Sequence, residues 1–250
     1  MLSKELAFLI RRSQNVLFFT GAGVSTGSGI PDFRGPKGLW NRMQPVYFNE
    51  FMTSHEARVR HWKYKLDSWT TFCNAKPSQG HRAIYELDRM GCLDTLVTQN
   101  IDGLHQLAGH SEEKLIELHG TNRKIVCISC QAVFEPDLLF DQFAKDSNPP
   151  LCRCGGFLKS GTISFGQAMP QDKLEAAFTE ASCADLVVSV GSTLEVEPAA
   201  SVPQSAKDNG ATYVIINQGA TAHDQLADFR IEDDINTFLP STVNDLRLLL

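Results

Sequence analysis

Short apolar runs that end in glycine or polar residues constrain the fold of this chain more than any other sequence feature. Each run has the length of a buried strand, and stretches with helical spacing lie between the runs. Strands that are apolar along their whole length belong to parallel sheets with helices on both faces. The sequence therefore predicts an α/β fold built on a parallel sheet. The predicted strands are 15–20, 93–98, 114–118, 185–190, 212–216 and 229–231.

Two segments interrupt this alternation of strands and helices. Residues 37–80 hold all three tryptophans and are predicted to form helices and loops, and residues 121–160 carry two close cysteine pairs. A chain of 250 residues is near the upper limit for a single hydrophobic core, which favours one large domain with inserts. We therefore expect a sheet domain, a helical module and a small metal-binding module. Their predicted ranges are 1–36, 81–120 and 161–250 for the sheet domain, 37–80 for the helical module and 121–160 for the metal-binding module.

The charge balance and the apolar runs exclude several classes of protein. Lys and Arg number 23 against 29 Asp and Glu, a net charge of −6, which argues against general binding to nucleic acid or to anionic membranes. No apolar run approaches the roughly 18 residues that a membrane span needs. The first residues form an amphipathic helical pattern without the apolar stretch of a secretory signal. The sequence thus predicts a cytoplasmic chain.

A glycine-rich loop that begins at Gly21 follows the first predicted strand directly. Glycines let a backbone approach a pyrophosphate closely, and the start of the next helix offers unbonded N–H groups to it. The strict G-x-G-x-x-G fingerprint fails because Thr26 stands at the third glycine position. A tight strand-to-helix turn is therefore an equally good interpretation of the loop alone. The acid, the ring and the guanidinium at residues 32–34 favour a ligand site, because a packing turn has no use for them.

Polar residues also follow the ends of the next predicted strands. An amide-rich segment, 99–102, follows the second strand, and His119 follows the third. Such residues commonly only start a turn, and a histidine chosen at random is more often structural than catalytic. The carboxyl ends of parallel strands meet at one edge, however, where Gly21 and Ser192 are also expected. This convergence predicts that His119 is a general base, while the other six histidines are interpreted as structural.

Four of the seven cysteines form two close pairs, Cys127 with Cys130 and Cys152 with Cys154. Close pairs in a cytosolic chain indicate a metal site before they indicate disulfides. Four thiolates suit a closed, tetrahedral and structural zinc site. An iron–sulfur cluster is the alternative, since it is also held by four thiolates. Two glycines directly after Cys154 are typical of zinc ribbons, so zinc is the favoured metal.

Taken together, these segments are similar to the signature segments of the bacterial-type sirtuins, a family of NAD-dependent protein-lysine deacylases. The resemblance covers about residues 5–240, and it implies a Rossmann-like parallel sheet domain with a small zinc-ribbon module and a helical insert. No single segment is specific, but their common order along the chain is. The segments that carry the resemblance are 21–34, 98–105, 118–120, the four cysteines, 191–194 and 216–217.

The resemblance also implies roles for individual residues. His119 would be the general base, and Asn100 would hold the nicotinamide ribose and place a water. The acyl-lysine peptide would bind as an added strand between Gly166 and residues 195–197. NAD would be the co-substrate and zinc a structural metal. The residues implied in NAD binding are Gly21, Ala22, Gly23, Asp32, Phe33, Arg34, Gln99, Asn100, Ile101, Asp102, Gly191, Ser192, Thr193, Asn217, Gln218, Gly219 and Ile235.

Departures from the family pattern bear on the acyl group. Some members that remove succinyl or malonyl groups carry a tyrosine and an arginine three residues apart in the helical module. Here Tyr64 is followed by Asp67 at that spacing, so a carboxylate on the acyl chain would meet a like charge. We therefore expect neutral acyl groups, acetyl first. Gln167 stands where the family often has an acid, which removes a negative charge near the peptide.

Four other functions compete with a deacylase. A mono-ADP-ribosyltransferase or an NAD hydrolase would use the same site, because all three cleave nicotinamide from NAD. An NAD-sensing module without turnover is disfavoured, since binding alone needs no base such as His119. A dehydrogenase is disfavoured because the glycine fingerprint fails and no acid lies suitably about 20 residues beyond it.

Overall fold

The computed structural model describes residues 2–32, 38 and 44–250, so Phe33 and Arg34 lie outside the described residues. The helices are α1 Ser3–Arg12, α2 Phe48–Thr53, α3 His55–Asn74, α4 Gln79–Arg89, α5 Leu104–Ala108, α6 Pro136–Asp146, α7 Gln171–Cys183, α8 Ser201–Asp208 and α9 Ile235–Arg247. The strands are β1 Val16–Thr20, β2 Thr95–Thr98, β3 Leu115–Glu117, β4 Gly120–Cys127, β5 Val133–Phe134, β6 Leu158–Thr162, β7 Leu186–Val190, β8 Thr212–Ile216 and β9 Phe229–Ile231.

Six strands form a parallel sheet in the order β3-β2-β1-β7-β8-β9. β1 lies at the centre and pairs in parallel with β2 on one side and with β7 on the other. The chain therefore builds the sheet outward from β1 in one direction and then from β7 in the other. The point between β1 and β7 is a topological switch, where ligands bind in open α/β sheets. All six predicted strands are present, and the predicted α/β fold is confirmed.

Helices cover both faces of this sheet. Successive residues of a strand point to opposite faces, so neighbouring residues of β1 belong to different cores. Phe18 belongs to a core with residues of α1, α4 and α9. Its neighbour Phe19 belongs to the opposite core with residues of α7 and α8. Both phenylalanines are fully buried. A strand with two buried faces must be apolar throughout, which explains why β1 shows no alternating pattern.

A second, antiparallel sheet of three strands, ordered β5-β4-β6, follows His119 in the chain. The sequence pattern indicated the cysteine-bearing segment but not these strands, because they are short and mix polar with apolar residues. α3 and α6 pack on this sheet around Trp62, which is buried against Phe140 and Phe143. The indole N–H of Trp62 donates to the carbonyl of Leu158 at 3.0 Å. The helical segment and the cysteine segment therefore share one core.

The C-terminal helix α9 was not expected from the sequence. It begins at Ile235 after Asp234, whose side chain accepts a hydrogen bond from the N–H of Asn236. Its buried residues pack against α1 and α4. Among the described residues, every helix is too short or too polar to cross a lipid bilayer.

Candidate active site at the switch point of the sheet

A cavity of about 1260 Å³ opens at the carboxyl ends of the parallel strands, at the switch point between β1 and β7. It also reaches α3 and the segment after β6. Every described residue that was predicted for catalysis or NAD binding lies on its wall, except Asp102. These residues are Gly21, Ala22, Gly23, Asp32, Gln99, Asn100, Ile101, His119, Gly191, Ser192, Thr193, Asn217, Gln218, Gly219 and Ile235.

The glycines of the first loop pack against the loop that follows β7. The N–H groups of Gly21 and Gly23 donate to the carbonyls of Val190 and Gly191 at 2.9 and 2.8 Å. A Cβ on Gly23 would lie 2.6 Å from the Cα of Gly191, and Gly191 itself has φ +64°. Side chains at these positions would separate the two loops. Part of the glycine pattern therefore serves packing at the switch point. The loop segment Ala22–Ser28, which includes Gly23, forms a 3-10 helix.

Asn100 is held in one orientation at the end of β2. Its Nδ2 group donates to the carbonyl of Gly21 at 3.0 Å and to Oγ of Ser25 at 3.3 Å. Because a carbonyl can only accept, the amide nitrogen must face Gly21. The amide oxygen, Oδ1, has no hydrogen-bond partner among the described residues, and Asn100 lines the cavity. The site thus presents a hydrogen-bond acceptor to a ligand hydroxyl or a water.

Asp102 lies behind the cavity wall rather than on it. Its carboxylate accepts from Oγ of Ser25 at 2.7 Å and from the N–H of Leu104 at 2.8 Å. It is 3% exposed, and burial raises the pKa of this carboxyl above its ordinary value, although the hydrogen bonds oppose the shift. In this structure Asp102 therefore supports Ser25 and the start of α5.

His119 lies on the cavity wall directly before β4. Its Nδ1 lies 3.0 Å from the backbone carbonyl of Gln99. A carbonyl cannot donate, so Nδ1 carries the proton of the neutral ring and Nε2 carries the lone pair. The carbonyl of His119 accepts from the N–H of Ile163 at 2.8 Å, which ties the histidine to the segment after β6. The ring is thus set up to accept a proton at Nε2.

Two further contacts order the loops around the cavity. Gln99 donates through Nε2 to Oγ of Ser192 at 2.8 Å, which connects the end of β2 to the end of β7. Asn217 donates to the carbonyl of Gly219 at 2.7 Å and so closes the turn after β8. The predicted residues from the ends of β1, β2, β3, β7 and β8 thus meet in one cavity.

Several wall residues were missed by sequence reasoning. α3 contributes Arg60, His61 and Lys65, together with Tyr64, which the sequence had already indicated for the acyl group. Lys65 is buried and donates to Oδ1 of Asn122 at 2.6 Å. A lysine in a helix with many charged residues is expected to be exposed to solvent, so the local sequence did not indicate that Lys65 is buried. Asp67, from which neutral acyl groups were expected, is exposed and lies off the cavity wall.

The four cysteines come together as the spacing predicted. Their sulfur atoms all lie within 4.8 Å of one another. Sγ of Cys127 is 3.5 Å from Sγ of Cys154, and Sγ of Cys130 is 3.7 Å from Sγ of Cys152. Four sulfurs at about 2.3 Å from a tetrahedral zinc are roughly 3.8 Å apart. The cluster therefore fits a structural zinc ion.

Comparisons with known proteins agree with this geometry. Residues 21–198 match the model of the Sir2 family, which is more than two thirds of the chain. The chain belongs to the Sir2 family. An NAD-dependent protein deacetylase of Rhodopseudomonas palustris is 42% identical over 94% of each chain. One of Thermodesulfovibrio yellowstonii is 39% identical over 96% of this chain and 93% of that protein. A solved structure of Sir2 with a p53 peptide and NAD+ superposes with a TM-score of 0.90 at 31% identity, covering 99% of this chain and all of that one.

The part that matches the Sir2 family model begins at the glycine loop and ends just after the loop that follows β7. It therefore contains both sides of the switch point, His119 and the four cysteines. The resemblance to sirtuins that the sequence segments indicated is confirmed.

Proposed function

We infer that this protein is an NAD-dependent protein-lysine deacylase, which transfers the acyl group of a modified lysine to ADP-ribose and releases nicotinamide. The observation that carries this inference is a single cavity that presents both a basic ring nitrogen, on His119, and an amide acceptor, on Asn100. The cavity lies at the switch point of a Sir2-family sheet, and the named relatives are NAD-dependent protein deacetylases. NAD is the co-substrate, and the four-cysteine cluster fits structural zinc.

We propose that the predicted residues bind NAD along the cavity. Gly21, Gly191 and Ser192 lie beside the switch point, where the pyrophosphate of a dinucleotide binds in such sheets. Asn217 and the turn to Gly219 follow β8 and suit the adenosine end. Ile235 at the start of α9 lines the same cavity and offers an apolar surface to adenine. Gln99 and Asn100 would hold the nicotinamide ribose. Phe33 and Arg34 keep their predicted roles, although they lie outside the described residues.

The chemistry needs positioning first and a base second. The acyl-lysine carbonyl oxygen is a weak nucleophile, so it attacks the anomeric carbon as nicotinamide leaves with its bonding electrons. A cavity that orients the ribose lowers this barrier by holding the reacting atoms in line. His119 then removes a proton from a ribose hydroxyl through Nε2, and that oxygen attacks the acyl carbon. Water then adds to that carbon while the bond to the lysine nitrogen breaks and the nitrogen takes up a proton, so the products are lysine, nicotinamide and O-acyl-ADP-ribose.

We propose that the peptide binds as an extra strand between residues 164–167 and residues 195–197. Both segments line the cavity, and Gly166 is exposed with φ +79°. Strand addition reads the peptide backbone, so sequence preference should be weak. Acetyl remains the first acyl group to test, because the named relatives are deacetylases. The like-charge argument against acidic acyl chains loses its structural support, since Asp67 lies off the cavity wall.

We also propose the modular division and the location that the sequence predicted. The separate three-stranded sheet supports a metal-binding module at about 121–160, and α2 and α3 support a helical module within 37–80. A cluster of four thiolates as metal ligands suits the reducing cytoplasm.

Mass spectrometry of the protein with NAD and an acetyl-lysine peptide, each omitted in turn, tests the function. Deacetylated peptide and O-acetyl-ADP-ribose should form only when both substrates are present. Nicotinamide release without any change in the peptide would instead indicate an NAD hydrolase. A gain of ADP-ribose on protein would indicate a mono-ADP-ribosyltransferase.

A further inference from the structure

His105, one of the histidines interpreted as structural, is connected by hydrogen bonds to the backbone of Asn100. It lies in α5, just after the segment that carries Asn100, and is 1% exposed. Its Nε2 lies 2.9 Å from Oγ1 of Thr20. Thr20 donates to Oγ1 of Thr98 at 2.8 Å, and the same oxygen accepts the backbone N–H of Asn100 at 3.0 Å. A continuous path therefore runs from the imidazole to the backbone of the site residue.

The direction of each bond in this path is determined. Because the hydroxyl hydrogen of Thr20 points to Thr98, Thr20 can only accept from His105. The proton of the neutral imidazole therefore lies on Nε2, and Nδ1 is a bare acceptor with no partner among the described residues. Burial, with the neighbouring rings of His81 and His110, holds the pKa of His105 well below its usual range. The ring is thus neutral at physiological pH and donates through a single nitrogen.

The side chain of Asn100 is fixed independently from the opposite direction. Its Nδ2 group is held by Gly21 and Ser25, and Ser25 in turn donates to Asp102. The carboxylate of Asp102 then accepts the N–H of Leu104, the residue before His105. Residues that follow Asn100 in the chain are therefore linked to it at two points. His105 is linked to its backbone through Thr20 and Thr98, and Asp102 is linked to its side chain through Ser25.

We propose that His105 is a positioning residue, which acts through Thr20 and Thr98 to hold the turn at Asn100 so that Oδ1 faces the cavity. This inference rests on the proposed function of Asn100. A positioning contact costs little in NAD affinity when it is lost, because other parts of the cavity bind the dinucleotide. It costs turnover, since a displacement of about 1 Å of a catalytic group can lower the rate about 100-fold.

The experiment compares two substitutions at His105 in the full chain. His105→Gln places an amide N–H close to the position of Nε2, whereas His105→Leu removes the donor at similar size. We expect His105→Leu to lower kcat about 10- to 100-fold with less than a threefold change in KM for NAD. His105→Gln should recover at least half of that loss on a logarithmic scale. An unchanged kcat in His105→Leu, or equal losses in both variants, would overturn the proposal.

A matched control separates positioning from packing. His110 is equally a buried histidine of this group, but it contacts Asp88 and not Thr20. His110→Leu should lower the thermal midpoint of unfolding without changing kcat in assays below that midpoint. A loss of kcat equal to that of His105→Leu would show that any cavity in this cluster impairs turnover, and would overturn the assignment to His105.

Thr98 provides a second test that does not need His105→Leu to fold. Thr98→Val keeps the shape but removes the shared acceptor, and Thr98→Ser retains it. We expect the kcat loss in the valine variant only. The His105→Leu and Thr98→Val losses should not multiply in the double variant, because both act through one path. Independent, multiplying losses would contradict the proposal.

If the wild-type protein does not deacylate the peptide at all, the proposed function fails, whereas the outcomes above concern only His105.

Discussion

At the scale of single residues, the site depends on side chains whose orientation is set by one backbone carbonyl each. The carbonyl of Gln99 places the proton of His119 on Nδ1, and the carbonyl of Gly21 selects the face of the Asn100 amide. Both side chains are oriented by uncharged backbone carbonyls, so no charged side chain is needed at the cavity wall for this purpose. Nε2 of His119 and Oδ1 of Asn100 are thus the acceptor atoms of these two side chains, and both side chains line the same cavity.

Replacement of His119 by alanine should remove the base but leave the binding surface. We expect NAD to bind within about threefold of the wild-type Kd, while formation of deacetylated peptide falls by 10²- to 10⁴-fold, the usual contribution of a general base. Calorimetric titration with NAD and mass spectrometry of the peptide measure the two quantities. Turnover at the wild-type rate would remove His119 from the mechanism.

Replacement of Gly191 by alanine should destabilise the switch point. The new Cβ would lie 2.6 Å from the backbone nitrogen of Val24, and the residue has φ +64°. We expect a loss of at least about 2 kcal/mol in the free energy of unfolding, from backbone strain and from the clash. Gly210→Ala is the control, because Gly210 has φ +99° but open space around it. Chemical denaturation of both variants checks this; equal losses would mean that strain alone acts.

At the scale of elements, α3 connects the metal-binding sheet to the cavity. Trp62 and Lys65 lie on its buried face, the first against β6 and the second against Asn122 of β4. Two buried lysines, Lys65 and Lys159, have pKa values lowered to about 7 by burial. Within the described residues neither has a carboxylate partner, since their hydrogen bonds go to neutral oxygens.

Removal of zinc should unfold the module around β4–β6 and abolish activity indirectly. Binding of four thiolates supplies folding free energy that the small three-stranded sheet lacks on its own. A chelator, or Cys154→Ser, should therefore lower the thermal midpoint and the activity together, with one zinc lost per chain by elemental analysis. Full activity in protein shown to hold no zinc would contradict this.

The pH dependence of stability should depend on Lys65. Between its folded pKa of about 7 and its ordinary value of 10.5, the unfolded chain holds a proton that the folded chain lacks. Stability therefore increases with pH across that window, by up to about 1.4 kcal/mol per pH unit for this group. Lys65→Met should flatten the slope measured by urea unfolding at pH 7 to 10. Lys63→Met, at an exposed position of the same helix, should leave the slope unchanged.

At the scale of the whole molecule, the net charge of −6 should favour basic substrates. Glu195 and Glu197 are exposed beside the proposed peptide groove, so part of this charge lies close to the peptide. Interactions between exposed charges weaken with salt, because the screening length falls from roughly 10 Å at 0.1 M to about 3 Å at 1 M. Recognition of the peptide backbone should not depend on salt in this way.

Ionic strength should therefore separate the two contributions to peptide binding. For an acetyl-lysine peptide flanked by lysines, we expect KM to rise at least threefold between about 0.05 and 0.5 M salt, with kcat unchanged. For a peptide flanked by neutral residues, KM should change less than twofold. Equal salt dependence of the two peptides would show that the charge of the protein does not select its substrates.

Local chemistry made much of this molecule predictable. The six strands follow from apolar runs, the cavity position from the residues at strand ends, and the metal cluster from the spacing of Cys127, Cys130, Cys152 and Cys154, because each signal involves neighbours in the chain. β4 to β6 and α9 were not expected, since their strands and helix are stabilised by distant partners and carry weak periodicity of their own.

The tertiary structure alone decided which side chains are buried and what they contact. In it, Asp102 lies behind the cavity wall and Lys65 lies on it. Gln99 contacts Ser192, which is 93 positions away in the sequence. The tertiary structure also turned His105, a structural histidine by sequence, toward Thr20. Composition and spacing determine which groups a chain can offer to a site. Their burial, and with it their protonation and direction, depends on contacts between residues far apart in the chain, which no local pattern records.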